Sequence, residues 1–249
     1  MADWFKKILG AKKVGDIADV SPAASADSAA VSWLPHDKNA WGVRVLDVRP
    51  ITLTMLSTSK DPKCATNAVS FRGDNGKGFI GVAPKTNRSA PALLRYPIDR
   101  YLADGALFIP TVMEHKWAIF LHRGHVVFVR SWLREVVAAA QLDVANGFAT
   151  ITRIDGTFTA QDEEPTFTAR VADFLMRSHG LGVSFPAPLP DKVANDPTAA
   201  ALWCMSCFGR MAEFATPHLF LAAEPTVPLR THSLLHIAVA RADRAAVLS

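Results

Sequence analysis

Residues 116–129, K-W-A-I-F-L-H-R-G-H-V-V-F-V, read as two apolar strands around a polar turn. The strands cover 116–121 and 126–129, and His122, Arg123, Gly124 and His125 join them. A glycine at the tip supplies the positive φ that a tight hairpin needs. A second hairpin is signalled at Asn146-Gly147, between 142–145 and 148–154, because Asn-Gly favours a type I′ turn. Between the two, residues 134–141 fit either a continued strand or a helix. Two adjoining hairpins point to an antiparallel sheet.

Upstream, residues 42–50 alternate Val43, Val45 and Val48 with Arg44, Asp47 and Arg49, the period of a half-buried strand. Asp61-Pro62 opens a short helix to about residue 69, with Asp as cap and Pro in the first turn. Short strands are expected at 79–82, 93–98 and 106–109. After Thr159 the pattern turns helical. Acids ahead of Pro165 mark a start, Phe167, Val171, Phe174 and Leu175 share a face, and Gly180 ends the run. Asp196-Pro197 repeats the start signal, Trp203, Cys204, Cys207 and Phe208 mark the next buried face, and Gly209 closes it. The expected class is α+β: a mostly antiparallel sheet with hairpins, followed by helices.

The chain of 249 residues is 49% hydrophobic and 20% charged, which suits a globular body with a sizeable core. The formal charge of +4 is local, because residues 1–13 carry four lysines against one aspartate. A basic excess confined to a terminal segment does not support nucleic-acid binding by the folded body. No apolar run reaches the length of a membrane span. Residues 3–10 place Trp4, Phe5, Ile8 and Leu9 on one side of a basic amphipathic helix. That helix fits a peripheral membrane contact, a partner-docking element or a terminal helix packed on its own domain. Residues 14–32 are small, polar and aperiodic, as in a disordered linker. An α+β domain is then expected over 33–222. Three cysteines and no apolar leader point to a reducing, cytoplasmic setting.

Two constellations could carry chemistry. Cys204 and Cys207 form a C-x-x-C, a redox pair or half a zinc site. Pro197 places both late in a helix, where the dipole opposes a thiolate, and no second ligand pair lies near in sequence. Small core hydrophobes are the competing reading. His115, His122 and His125, with Glu114, gather about the first hairpin and could hold a metal or shuttle a proton. Arg123 between two of them opposes a cation, and an exposed hairpin tip needs polar residues anyway. The glycines of 72–81 surround Lys77 but lack the phosphate-loop frame, so a tight turn explains them. No nucleophile motif is recognisable, no metal or cofactor is expected, and the assignment leans away from an enzyme.

The last residues, 233–249, S-L-L-H-I-A-V-A-R-A-D-R-A-A-V-L-S, resemble the opening of an ankyrin repeat, T-P-L-H-x-A-x-x-x-G-x-x-x-x-V. The resemblance implies a partial repeat within 229–249. Ser233 would cap its first helix, Leu235, Ala238 and Val239 would pack inward, and His236 would bond to the turn. Asp243 would start the second helix. Leu234 departs from the motif's Pro, and Ala242 from its Gly. A single repeat cannot bury its own face, so further repeats or docking on the body are expected. By this resemblance the chain is a protein-interaction protein that binds a protein partner through its ankyrin-like end. The alternative is a small-molecule enzyme or a metal or redox protein using Cys204 and Cys207, or the three histidines.

Overall fold

A computed structural model describes residues 30–219 and 223–231. The helix expected over 3–10, nearly all of the linker expected over 14–32 and the ankyrin-like residues 233–249 lie outside the described residues.

The hairpins build the larger of two sheets. Its strands are β3 (Ser89–Pro97), β4 (Gly105–Phe108), β5 (Trp117–His122), β6 (His125–Arg130), β7 (Glu135–Ala145) and β8 (Phe148–Gly156). They lie in the order β3-β8-β7-β6-β5-β4, every pair antiparallel. Both tight turns have two central residues with positive φ, Arg123 and Gly124, then Asn146 and Gly147. That is the primed geometry whose twist matches the strands. The open choice at 134–141 resolves as strand β7.

The smaller sheet joins β1 (Ser32–Leu34), β2 (Val45–Asp47), β10 (Phe214–Thr216) and β9 (Ala187–Pro188), with β9 and β10 parallel. Ser32 therefore belongs to the body rather than to the linker. The strand expected over 42–50 is shorter, because Pro50 sits in the first turn of a helix, α1 (Arg49–Thr52). The helix at Asp61-Pro62 is present as α2 (Pro62–Val69), and the Asp61 side chain accepts from the Lys63 N–H. No strand forms at 79–82. Residues 77–79 make a 3₁₀ turn instead, and Phe79 turns inward onto Phe120, ring centroids 5.7 Å apart. A Cβ on Gly76 would fall 2.4 Å from the Phe120 ring, which explains one glycine of that run as a close approach.

β5 is buried on both faces, so its apolar run is unbroken rather than alternating. Trp117, Ile119 and Leu121 face the main core, while Ala118 and Phe120 face a smaller one with Phe71 and Phe79. The main core lies under α3 (Pro165–Leu175), extended by a π-turn over Met176–Gly180, and under α5 (Pro197–Cys207). A short helix, α4 (Asp191–Ala194), precedes α5. Asp196 caps α5 by accepting from the Ala199 N–H. Buried Glu163 fixes the entry to α3. Its carboxylate accepts from the N–H groups of Phe158 and Thr159 and from the hydroxyls of Thr159 and Thr168. Four donors satisfy a carboxylate that burial would otherwise penalise. The observed class is α+β and sheet-rich. The helix pair expected at its end lies outside the described residues.

Candidate functional site

β3 is one edge of the large sheet, and α3 runs beside it. Between them lies a cleft of about 590 Å³. Its sheet wall runs from Pro91 to Arg95, its helix wall carries Ala169, Arg170, Asp173 and Arg177, and Leu219 and Glu224 border it. Leu93 stands 76% exposed on that edge. Pro91 and Pro97 offer no N–H donor, and a bulge between Pro91 and Leu94 breaks the ladder. Both devices guard an edge against addition of another sheet. The cleft therefore offers side chains rather than a free ladder.

The polar groups of the cleft are set by packing beneath them. Tyr96 is fully buried, and its hydroxyl donates to Asp173 at 2.9 Å. Burial first, then the Asp173 charge, pushes the Tyr96 phenol well above its usual range. Arg177 donates from Nε to both Asp173 oxygens, at 2.9 and 3.0 Å, and from Nη1 to the Ala223 carbonyl. Arg95 pairs with Glu224 at 2.8 Å and stacks on Phe148. Arg170 differs from both. Its Nη2 donates to the carbonyls of Thr216 and His218, each at 3.1 Å, and no carboxylate pairs with it among the described residues. Burial lowers its pKa below the ordinary guanidinium value, though it stays charged at neutral pH. Arg95 and Arg177 each pair with a carboxylate, whereas Arg170 is bonded only to carbonyls and feels the charge of Asp191 without a direct pair.

A strap of the chain closes one end. Glu224 meets Arg95, the Leu229 N–H donates to the Pro97 carbonyl at 2.8 Å, and Arg230 pairs with Asp99. The strap thus runs parallel to β3, and Leu229 is fully buried in the main core. The chain reaches Thr231 at the Asp99 end of β3.

The residues singled out in sequence fare differently. Cys204 and Cys207 are free, buried thiols in the last turns of α5. Burial pushes Cys207 up to about 12, against the opposing charge of Arg130, and raises Cys204 well above its ordinary value. Neither is a thiolate at neutral pH, so they act as core hydrophobes. The three histidines do not form one cluster. His122 and His125 face each other across the turn, but His115 precedes the far end of β5, about 23 Å away along an extended strand. His122 is buried, with Nε2 at 2.6 Å from the Asn75 carbonyl and Nδ1 at 3.6 Å from Asp104. His115 instead lies edge-on to Phe108, whose ring also meets His179. Burial, then the nearby His115, pulls His179 down to about 3. Among the described residues no group of three or more His, Cys, Asp or Glu side chains could hold a metal.

Sequence reading missed the cleft. Its trace was the charged stripe Arg170, Asp173 and Arg177, at i, i+3 and i+7 of a helix whose other face was assigned to the core. Only the position of β3 gives that stripe an opposite wall. Comparison with protein-family models, with curated proteins and with solved structures finds no match.

Proposed function

We propose that this chain is a protein-interaction protein whose β3–α3 cleft holds an extended, acidic segment of a partner. The observation that carries this reading is that the Arg170 guanidinium, bonded only to carbonyls, lines the same open cleft as exposed Leu93. A carboxylate on the partner would pair with Arg170, and an apolar neighbour would cover Leu93 and Leu219. Such a charge pair, partly withdrawn from water, is the kind that fixes register. The ankyrin resemblance of 233–249 supports the same class of function, and the strap brings the chain to residue 231 beside the same sheet edge. A cytoplasmic setting belongs to this reading and is supported by three cysteines that are all unpaired. No helix among the described residues is long and apolar enough to cross a membrane.

The competing reading, an enzyme or metal or redox protein using Cys204 and Cys207 or the three histidines, meets protonated thiols and separated imidazoles. A random-peptide library displayed on phage tests the cleft. The expected result is enrichment of sequences that join Asp or Glu to an apolar residue, with binding weakened about tenfold or more by Arg170→Glu. Selected peptides that bind Arg170→Glu and Leu93→Ser as tightly as the wild type would move the interaction elsewhere.

A further inference from the structure

Lys116 is only 4% exposed. It opens the segment leading into β5, where Ser131 fixes its backbone: the Ser131 N–H donates to the Lys116 carbonyl at 3.0 Å. Its ammonium end meets three groups. Nζ lies 2.6 Å from Ser57 Oγ and 3.1 Å from the Met113 carbonyl, and sits 4.0 Å from the centre of the Trp132 ring. Ser57 belongs to the loop between α1 and α2, and its N–H donates to Glu114 Oε1 at 2.8 Å. Glu114 is thus a positioning residue that fixes the serine backbone while Lys116 meets its hydroxyl. Trp132 is itself anchored, donating from Nε1 to the Met113 carbonyl at 2.8 Å.

Accessibility divides the pair. Lys116 is sealed, but Ser57 is half-buried on a loop whose Leu53, Met55 and Leu56 are exposed, Leu56 by 76%. A small electrophile can reach Ser57 and cannot readily reach Lys116. We propose that Ser57 and Lys116 form a nucleophile–base pair that accepts the acyl group of an ester with an apolar acyl chain. Serine–lysine pairs of this kind replace the serine–histidine arrangement in other catalytic settings.

The chemistry balances without a metal or redox partner. Neutral Lys116 Nζ takes the Ser57 hydroxyl proton as Oγ bonds to the ester carbonyl carbon. The carbon–oxygen bond to the alcohol breaks, and the alkoxide leaves with the proton from Lys116. Water then attacks the acyl-serine, again giving its proton to Lys116, and Ser57 departs as the restored alcohol. The sum is ester plus water to acid plus alcohol. Desolvation, then the charge of Arg130, pulls Lys116 down to about 7, while Glu114 acts in the opposite direction. About half of the side chain is then neutral at pH 7 and able to act as a base. The Trp132 face stabilises the ammonium formed when the proton arrives. The exposed leucines and methionine flanking Ser57 suit an apolar acyl chain.

An alkyl fluorophosphonate reads the pair directly, because Oγ displaces fluoride at phosphorus and leaves a stable adduct. Labelling of the full chain, followed by intact mass and peptide mapping, is expected to give one adduct on Ser57. Its rate should rise with pH about a midpoint near 7. Ser57→Ala, on an exposed loop, should abolish labelling. Lys116→Arg keeps the charge but cannot serve as base, and should slow labelling about 100-fold. The wild-type pH profile stands even where that variant fails to fold. No adduct on Ser57, an adduct rate flat from pH 6 to 8, or wild-type labelling of a folded Lys116→Arg would overturn the proposal.

Discussion

The two ends of the β5–β6 hairpin use polar residues in opposite ways. At the tip, the side chains of His125 and Arg123 are exposed, and Arg123 serves the turn through its backbone alone. At the base, Lys116 and Arg130 are withdrawn from solvent and bonded to named partners. Arg130 donates to the carbonyls of Ser206 and Cys207 at 2.6 Å each, closing the C-terminus of α5 with a cation. A positive group there satisfies orphan carbonyls and complements the helix dipole. Burial brings Arg130 down to about 10, so it remains charged at neutral pH while Lys116 is poised near 7. A motif of polar letters thus says little until burial is known. The tip reads as chemistry in sequence, yet apart from buried His122 it behaves as surface, while the base reads as an ordinary strand start and gathers the charge.

The sharpest way to break this contrast is at Gly209, which joins α5 to the base. Its φ is +67°, and a Cβ there would lie 1.7 Å from the Glu114 carbonyl oxygen. His115 bridges Gly209, and the Arg210 N–H donates to Glu114, so neither strand of that contact can step aside. Gly209→Ala is expected to cost about 3–5 kcal/mol, combining backbone strain with displaced packing. Denaturant unfolding gives the value. A cost under about 1 kcal/mol would make the base as plastic as the tip and erase the distinction.

Lys116 supplies a test of intermediate size. Its pKa is about 7 in the fold and near 10.4 in the unfolded chain. Between those values the unfolded state binds more protons, so wild-type stability rises as pH climbs from 7 toward 10.4. Below pH 7 both states hold the proton and this contribution is flat. The rise is expected to reach a few kcal/mol, since each pKa unit corresponds to about 1.4 kcal/mol. Lys116→Met removes the group and should lose the rise, so the two stability curves converge or cross on the alkaline side. Parallel curves for wild type and variant from pH 7 to 10 would show that Lys116 is solvated.

Local signals survived into the structure where one residue type meets one local need. Asp61 and Asp196 cap their helices, Asn146-Gly147 turns its hairpin, and Gly209 takes the left-handed conformation after α5. Misreadings arose where tertiary contact overrides local pattern. Residues 79–82 carry strand letters, yet Phe79 is drawn onto Phe120, and the pull of that small core wins over a short strand's propensity. Residues 134–141 look ambiguous because β7 is covered on both faces near its start, which removes the alternation that marks a strand. The cleft and the Ser57–Lys116 contact join positions 59 or more residues apart. No periodicity within a window reaches that far.

The smallest effect belongs to the tip. His125 is exposed, and its ring Nδ1 lies 3.0 Å from the Arg123 carbonyl, two residues away in its own turn. His125→Ala should therefore change stability by no more than about 0.5 kcal/mol, the range of surface substitutions away from special features. His122, facing it, is already committed to Asn75 and Asp104, so the two rings do not share a free coordination face. Zinc is accordingly expected to shift the thermal midpoint of wild type and His125→Ala equally. A zinc-dependent rise in wild type that His125→Ala removes would return the hairpin tip to the status of a metal site and place the chemistry at both ends of the same hairpin.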